Sequence, residues 1–220
     1  MKKPQVPLLQ PSEFDEYVFD TPVWKNTERP FFNQFHVIRL EDYKNHLIIP
    51  QLPHRRSVCF FIFLTKGKIV RSKALTQHEV KAGSFFFLPA FQITTFDYVS
   101  EDAEGFYCHF SQEIFNVGHW KNELLKDFAF LQLAGHPVIE IEETLHQGII
   151  NIFMRLENIN QVLTADKFEL LSSYLYTLFV EINYCAKPQA RPLKNAALRI
   201  TQQFKNALTQ YVYEKHSVSE

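Results

Sequence analysis

Ser57-Val-Cys-Phe-Phe-Ile-Phe-Leu-Thr65 is the stretch whose reading decides the fold. Every residue from Val58 to Leu64 is apolar, so a strand running through it has no polar face. A sheet with one wet side alternates polar and apolar residues instead. This strand is therefore buried on both sides, or faces a core on one side and a pocket on the other. Working outward, Lys66-Gly67-Lys68 supplies a turn, and Ile69–Ala74 and Gln77–Val80 read as hairpin arms. Lys81-Ala82-Gly83 turns again into Ser84-Phe-Phe-Phe-Leu88, stopped by Pro89. Upstream, Phe35–Leu40 is a short β-type run; downstream, Ile93–Val99 and Gly105–Phe110 flank the acidic turn Ser100–Glu104. Strands recurring about every 8–12 residues between turn signals predict a sandwich or barrel.

Past Gln112 the apolar period changes from two to 3.6 residues. Trp120–Leu131 reads as a helix, and Ile141–Ile159 as a stronger one. In the latter, Leu145, Ile149, Ile152, Leu156 and Ile159 are spaced as a heptad seam. Thr164 is a suitable N-cap, with Asp166 in the first turn, for a helix running to about Cys185. That helix carries its own seam, Phe168, Leu171, Leu175, Leu178 and Ile182. A short turn between the two predicts an antiparallel pair. Either both seams pack on each other and on the barrel, or the apolar faces are too broad for one partner. Ile150, Phe153, Leu170, Tyr174 and Phe179 widen them. On the second reading the chain forms a homodimer, with Leu145, Ile149, Ile152, Leu156 and Ile159 as candidate interface residues.

Composition sets bounds on function. Hydrophobic residues make up 46% and charged residues 21%, which suits a water-soluble globular chain. Phenylalanine stands out, with 22 copies against 2 Trp. So many rings can form a core or line an enclosed pocket. Only 6 Gly are present, and no P-loop, Rossmann fingerprint or nucleophile elbow appears. The start of the chain does not read as a signal peptide, and no apolar run approaches the ~20 residues of a membrane span. A cytoplasmic location is expected, with no membrane partner. Cys59, Cys108 and Cys185 are odd in number and sit among hydrophobes, so buried free thiols are expected. From Lys187 onward six basic residues face two acidic ones; the rest has seventeen against twenty-two. Only the tail is suited to approach a polyanion.

Ala186–Pro192 reads as a linker, and Leu193–Tyr213 as a helix striped by Leu193, Ala197, Ile200, Phe204, Leu208 and Tyr211. Ser217-Val-Ser-Glu220 reads as a further helix N-terminus that is started and not built. Residues Ala197–Glu220, with Phe204, Tyr211 and the His216-Ser-Val-Ser turn, resemble the opening of the DNA-binding domain of AraC-type transcription regulators. The resemblance implies a helix-turn-helix domain that begins here, so that DNA is reached only through a missing C-terminal part.

Val80-Lys-Ala-Gly-Ser-Phe-Phe-Phe-Leu-Pro-Ala-Phe-Gln92 resembles the turn-and-strand signature of that family's cupin sensor domain, and Gly105–Phe110 the strand after it. Ala82 and Ser84 depart from the signature, which usually has proline and aspartate there. Cupin metal sites need a His-x-His pair with a nearby Glu and a later His, so that imidazoles converge. The chain has 9 His but no His-x-His, so no metal or other cofactor is expected.

The fold expected is α+β: a cupin-like β-barrel, then an antiparallel helical pair and a further C-terminal helix. The ranges are an N-terminal arm 1–22, barrel 23–115, helical dimerisation segment 116–186, linker 187–192, and first helix of the truncated DNA-binding domain 193–220. The resemblance aligns Phe96 and Tyr107 with aromatic positions that help bind sugar in the family's arabinose-responsive member. Alternation adds Arg39, Phe61, Phe63, Phe86, Gln92 and His109 as candidate ligand contacts. Arg39 could pair with an acidic ligand, or merely bridge Glu41 or Asp42. The expected function is non-enzymatic: a small-molecule effector, unidentified, controls the DNA-binding domain by population shift. Two other classes stay open, a metal-free isomerase-like cupin enzyme and a dimerisation module with a collapsed barrel.

Overall fold

In the computed structural model, which describes residues 6–23, 29–116 and 127–185, the doubly apolar run is the middle strand of a five-stranded sheet. The strands are β1 (Leu8–Leu9), β2 (Phe35–Arg39), β3 (Arg55–Arg56), β4 (Cys59–Lys66), β5 (Lys68–Lys73) and β6 (Thr76–Lys81). They continue with β7 (Ser84–Leu88), β8 (Phe96–Val99), β9 (Glu104–Phe110) and β10 (Val138–Glu140). The large antiparallel sheet has the order β10-β7-β4-β9-β2; a second antiparallel sheet has the order β6-β5-β8. β1 pairs in parallel with β3. The helices are α1 (Phe14–Val18), α2 (Glu143–Gln161) and α3 (Phe168–Cys185). This is an α+β architecture: the strand spacing predicts its barrel of antiparallel sheets, and the resemblance implies its cupin-like form.

β4 has no wet face because each face meets a different core. Phe60, Ile62 and Leu64 point toward the second sheet, where Ile69, Val80, Phe86, Leu88, Phe96 and Tyr107 complete the barrel interior. Cys59, Phe61 and Phe63 point the other way, with Phe85, Phe87, Phe106 and Phe110, toward α2 and α3. The register aligns like with like: Phe61 lies opposite Phe87 and Cys108, and Ile62 opposite Phe86 and Tyr107. Burying each such ring stabilises the fold by about 1.5–3 kcal/mol.

Two rings of the helical pair anchor it to the sheet. Phe153 stacks on Phe106 with centroids 4.4 Å apart, and Phe179 reaches Phe61 at 5.9 Å and Phe110 at 5.5 Å. The seam assigned to a dimer therefore has a different occupant. Ile149 and Leu156 are fully buried, and Ile152 and Ile159 nearly so, within one chain. Leu145 packs against the same core. The outer face of the large sheet is a field of rings that needs cover. Of the residues that widen the two apolar faces, Phe153 and Phe179 are buried against that field, whereas Leu170 is half exposed.

Two expected boundaries move, and the helix expected over Trp120–Leu131 lies mostly outside the described residues. β10 joins the edge of the large sheet from a region assigned to helices, pairing Ile139 with Phe85. Within Trp120–Leu131, the described part holds one 3-10 turn, Ala129–Leu131. The arm is not separate from the barrel: Arg55 and Ser57 donate backbone hydrogen bonds to Pro7 and Leu9, and Phe14 and Val18 join the interior core. The linker, the last helix and the DNA-binding resemblance lie outside the described residues.

Gly105 holds β9 close to β4. Its φ is +150°, and a Cβ there would stand 2.0 Å from the Phe63 carbonyl oxygen. Gly105→Ala combines backbone strain with a clash against backbone that has no flexible end to move. We expect a loss of about 1–3 kcal/mol, read as a lower urea midpoint with unchanged m-value.

Candidate functional site

The barrel interior contains a polar chain among its rings. β3 carries Arg56 inward, β9 carries Tyr107 and His109, and His54, just before β3, is held by an isolated antiparallel bridge to Thr94. Arg56 donates from Nε to His54 Nε2 (3.3 Å) and from Nη1 to the Tyr107 hydroxyl (2.9 Å). His54 Nδ1 donates to the Leu52 carbonyl at 3.0 Å. The Tyr107 hydroxyl donates to His109 Nδ1 at 3.3 Å, and His109 Nε2 donates to the Phe32 carbonyl at 2.8 Å. Each imidazole thus has one donating and one accepting nitrogen, the pattern of a neutral ring. Burial, with Arg56 adding to it, depresses the His54 pKa to about 3. Burial and then His36 hold His109 well below the ordinary value. Burial pushes the Tyr107 phenol up to about 12.

Arg71, on β5, is the second guanidinium of the interior. Its carbon lies 4.4 Å from the Phe96 centroid and 4.8 Å from that of Phe60. Arg56 lies 4.6 Å from the same Phe60 ring and 4.2 Å from Phe14. Among the described residues neither arginine forms an ion pair.

Of the sequence-predicted contacts, Phe86, Phe96, Tyr107 and His109 meet in this interior. Phe61 and Phe63 do not; they lie on the opposite face of β4, under the helices. Parity explains the correction, since in an unbroken apolar run either set of alternate residues could face inward. Arg39 is also on the outer face, over Phe106 at 4.9 Å. Its Nε and Nη2 donate to the two carboxylate oxygens of Glu157 on α2, at 3.0 and 2.9 Å. Glu41 is a distant second partner at 3.9 Å. Gln92 lines a separate groove of about 500 Å³ with Lys73, His78 and His136. Sequence reasoning missed Arg56 and Arg71, although alternation from Ile69 puts Arg71 on the inward face of β5.

A groove of about 540 Å³ opens where the barrel meets α2. One wall is Val37, Ile38 and Arg39 of β2; the other is Met154, Glu157 and Asn160 of α2. Phe32 and His36 line it as well. They also touch His109, with ring centroids 5.4 and 5.6 Å away. The groove therefore adjoins the interior chain of hydrogen bonds.

The cupin resemblance raises the question of a metal. Both nitrogens of His54 and of His109 are engaged, and two guanidiniums share their surroundings. A cation does not fit this donor set. Among the described residues no group of three His, Cys, Asp or Glu is placed to hold one. Burial raises the Cys59 and Cys108 thiols, which keeps them protonated and poor nucleophiles. Among the described residues no helix is long and apolar enough to cross a membrane.

No family model matches the chain, and neither does any curated protein. Several solved structures are similar to it. The AraC-like transcriptional activator CuxR is 14% identical, with TM-score 0.38, over 80% of this chain and 58% of that one. ToxT from Vibrio cholerae O395, bound to (E)-4-(8-methylnaphthalen-1-yl)but-3-enoic acid, is 11% identical, with TM-score 0.38, over 80% and 66%. A cupin-2 domain protein from Shewanella frigidimarina is 9% identical, with TM-score 0.25, over 34% and 66%. The chain spans less than two thirds of the length of either regulator.

Proposed function

We propose that this chain is the effector-sensing part of an AraC-type transcription regulator, in which a small molecule held by the barrel biases how α2 and α3 pack against it. The observation that carries the reading is the groove with one wall from the barrel and the other from α2. Its volume suits a small metabolite. An occupant touching β2 and α2 at once favours one packing of the pair over another. That unequal affinity is what a switch requires. The Arg39–Glu157 pair spans the same groove, so an occupant would compete with the contact that ties barrel to helix. The helical pair then passes the bias to residues 186–220, where the DNA-binding resemblance lies. The seam that argued for a homodimer is used within the chain, so this reading does not rest on dimerisation.

The test is a thermal scan of the chain against a broad metabolite panel, followed by hydrogen exchange on any hit. A true effector at a hundred times its Kd stabilises by about 2.7 kcal/mol. That raises Tm by roughly 5–10 °C for a chain of this size. Exchange should slow along both 35–39 and 143–161. A panel without a hit sinks the reading, as does a hit whose protection stays away from α2.

A further inference from the structure

Arg71 is buried to 2% exposure, and two of its nitrogens, Nε and Nη2, have no hydrogen-bond partner. Those two nitrogens form one side of the guanidinium, where two parallel N–H groups match the two oxygens of a carboxylate. The chain itself shows what that edge does when satisfied. Arg39 uses the same two nitrogens to hold both oxygens of Glu157. Buried polar groups are almost always paired, and a buried, charged fork is among the costliest to leave open. Arg71 does not escape by losing its proton. Burial, and then Arg56, lower its pKa to about 9, so it stays charged at neutral pH. The rings of Phe60, Phe86 and Phe96 offer it only their faces. The Gln51 side chain is also buried with both ends unpartnered, and its backbone N–H bonds the Phe96 carbonyl directly across from Arg71.

We propose that the barrel interior is a carboxylate site: the Nε–Nη2 edge of Arg71 binds the acid group of a small organic monoacid, Arg56 adds a second positive charge, and the Phe60, Phe86 and Phe96 rings receive its apolar body. The inference rests on the reading that the chain takes an effector, and it places the acid group not in the groove beside α2 but in the interior, which the Arg56–Tyr107–His109 chain joins to Phe32 and His36 of that groove. A neutral sugar would leave the fork and its charge unmatched. A multiply charged anion would forfeit solvation among the rings.

The experiment uses the whole chain and paired probes: benzoate with benzamide, and octanoate with octanamide, with inorganic phosphate as an anion lacking an apolar body. Binding is read by thermal shift and titration calorimetry. At least one carboxylate should raise Tm by several degrees, while its amide and phosphate should not. Arg71→Met should fold, by circular dichroism, and lose carboxylate affinity at least tenfold; Arg71→Lys should lose part of it. Without ligand, Arg71→Met should melt no lower than the parent, since it removes a charge that has no partner. An Arg71 needed only for structure would instead lower Tm in that variant, and this result overturns the proposal. Carboxylate binding that survives Arg71→Met overturns it too. If neutral compounds from the metabolite panel bind and carboxylates do not, the proposal falls and the sensing function stands. If nothing binds, both fall.

Discussion

Phe153→Ala is expected to destabilise the chain by about 3–5 kcal/mol, the usual cost of removing a buried ring. Phe153 is the point at which α2 meets the sheet. Its ring lies 4.4 Å from Phe106, 5.9 Å from Phe61, 6.0 Å from Phe63 and 6.2 Å from Phe85, and nearly parallel to three of these four. Those neighbours are fixed by sheet register, so they cannot collapse into the space the ring leaves. The cost should therefore sit in the upper part of the range. A drop in Tm of about 10 °C or more is the expected reading. Phe153→Leu refills part of the volume and should recover about half. The barrel interior is a separate core to which Phe153 does not belong. Near-ultraviolet signals from Tyr107 and Tyr43 should thus persist in the folded variant. A loss below about 1 kcal/mol would mean that the helices do not depend on this contact.

The periodicity of the chain was enough to find most strands and both long helices, because burial alone dictates it. β7 falls on Ser84–Leu88 as read, and α2 starts and ends two residues later than Ile141–Ile159. What periodicity withholds is the partner. The α2 seam has the spacing of an interface between helices, yet its side chains share a core with the outer face of the large sheet. Arg39 offered three readings on sequence, and its actual partner Glu157 is 118 residues away. No local signal announces such a pairing. The same holds for β10, whose three residues are too few to display a period. The interior arginines are a different case. Ile69 and Arg71 alternate in an otherwise ordinary strand, and a charged residue in phase with an isoleucine marks an inward charge. In β4 the faces were illegible for the opposite reason, since its residues carry no contrast.

Acidification should unfold this protein well before its carboxylates are titrated. His54 and His109 are fully buried and neutral in the fold, whereas in the unfolded chain they titrate near the ordinary value of about 6.5. The unfolded state therefore binds more protons below pH ~6.5, and stability falls as pH falls. The contribution is complete above that pH and is lost progressively below it, for His54 down to a folded value of about 3. Each proton costs about 1.4 kcal/mol per pH unit, so the two together remove about 3 kcal/mol between pH 6.5 and 5. The surroundings offer no relief. His54 meets Arg56 and feels Arg71, and its other nitrogen is already bonded to Leu52. His109 meets His36, Tyr107 and the Phe32 carbonyl, and a second proton on it would face a hydroxyl that already receives the Arg56 N–H. His36 titrates in the same direction, lowered to about 4 by burial and then by Arg29, and steepens the fall. Urea midpoints measured at half-unit steps from pH 7.5 to 5 give the slope. Replacing His54 with Gln should reduce that slope by about one proton's worth, whatever it does to stability at pH 7. Midpoints that stay level down to pH 5 would mean that both imidazoles find water or a carboxylate in the fold. The interior would then not be the water-free, positively charged core that an acidic effector would neutralise.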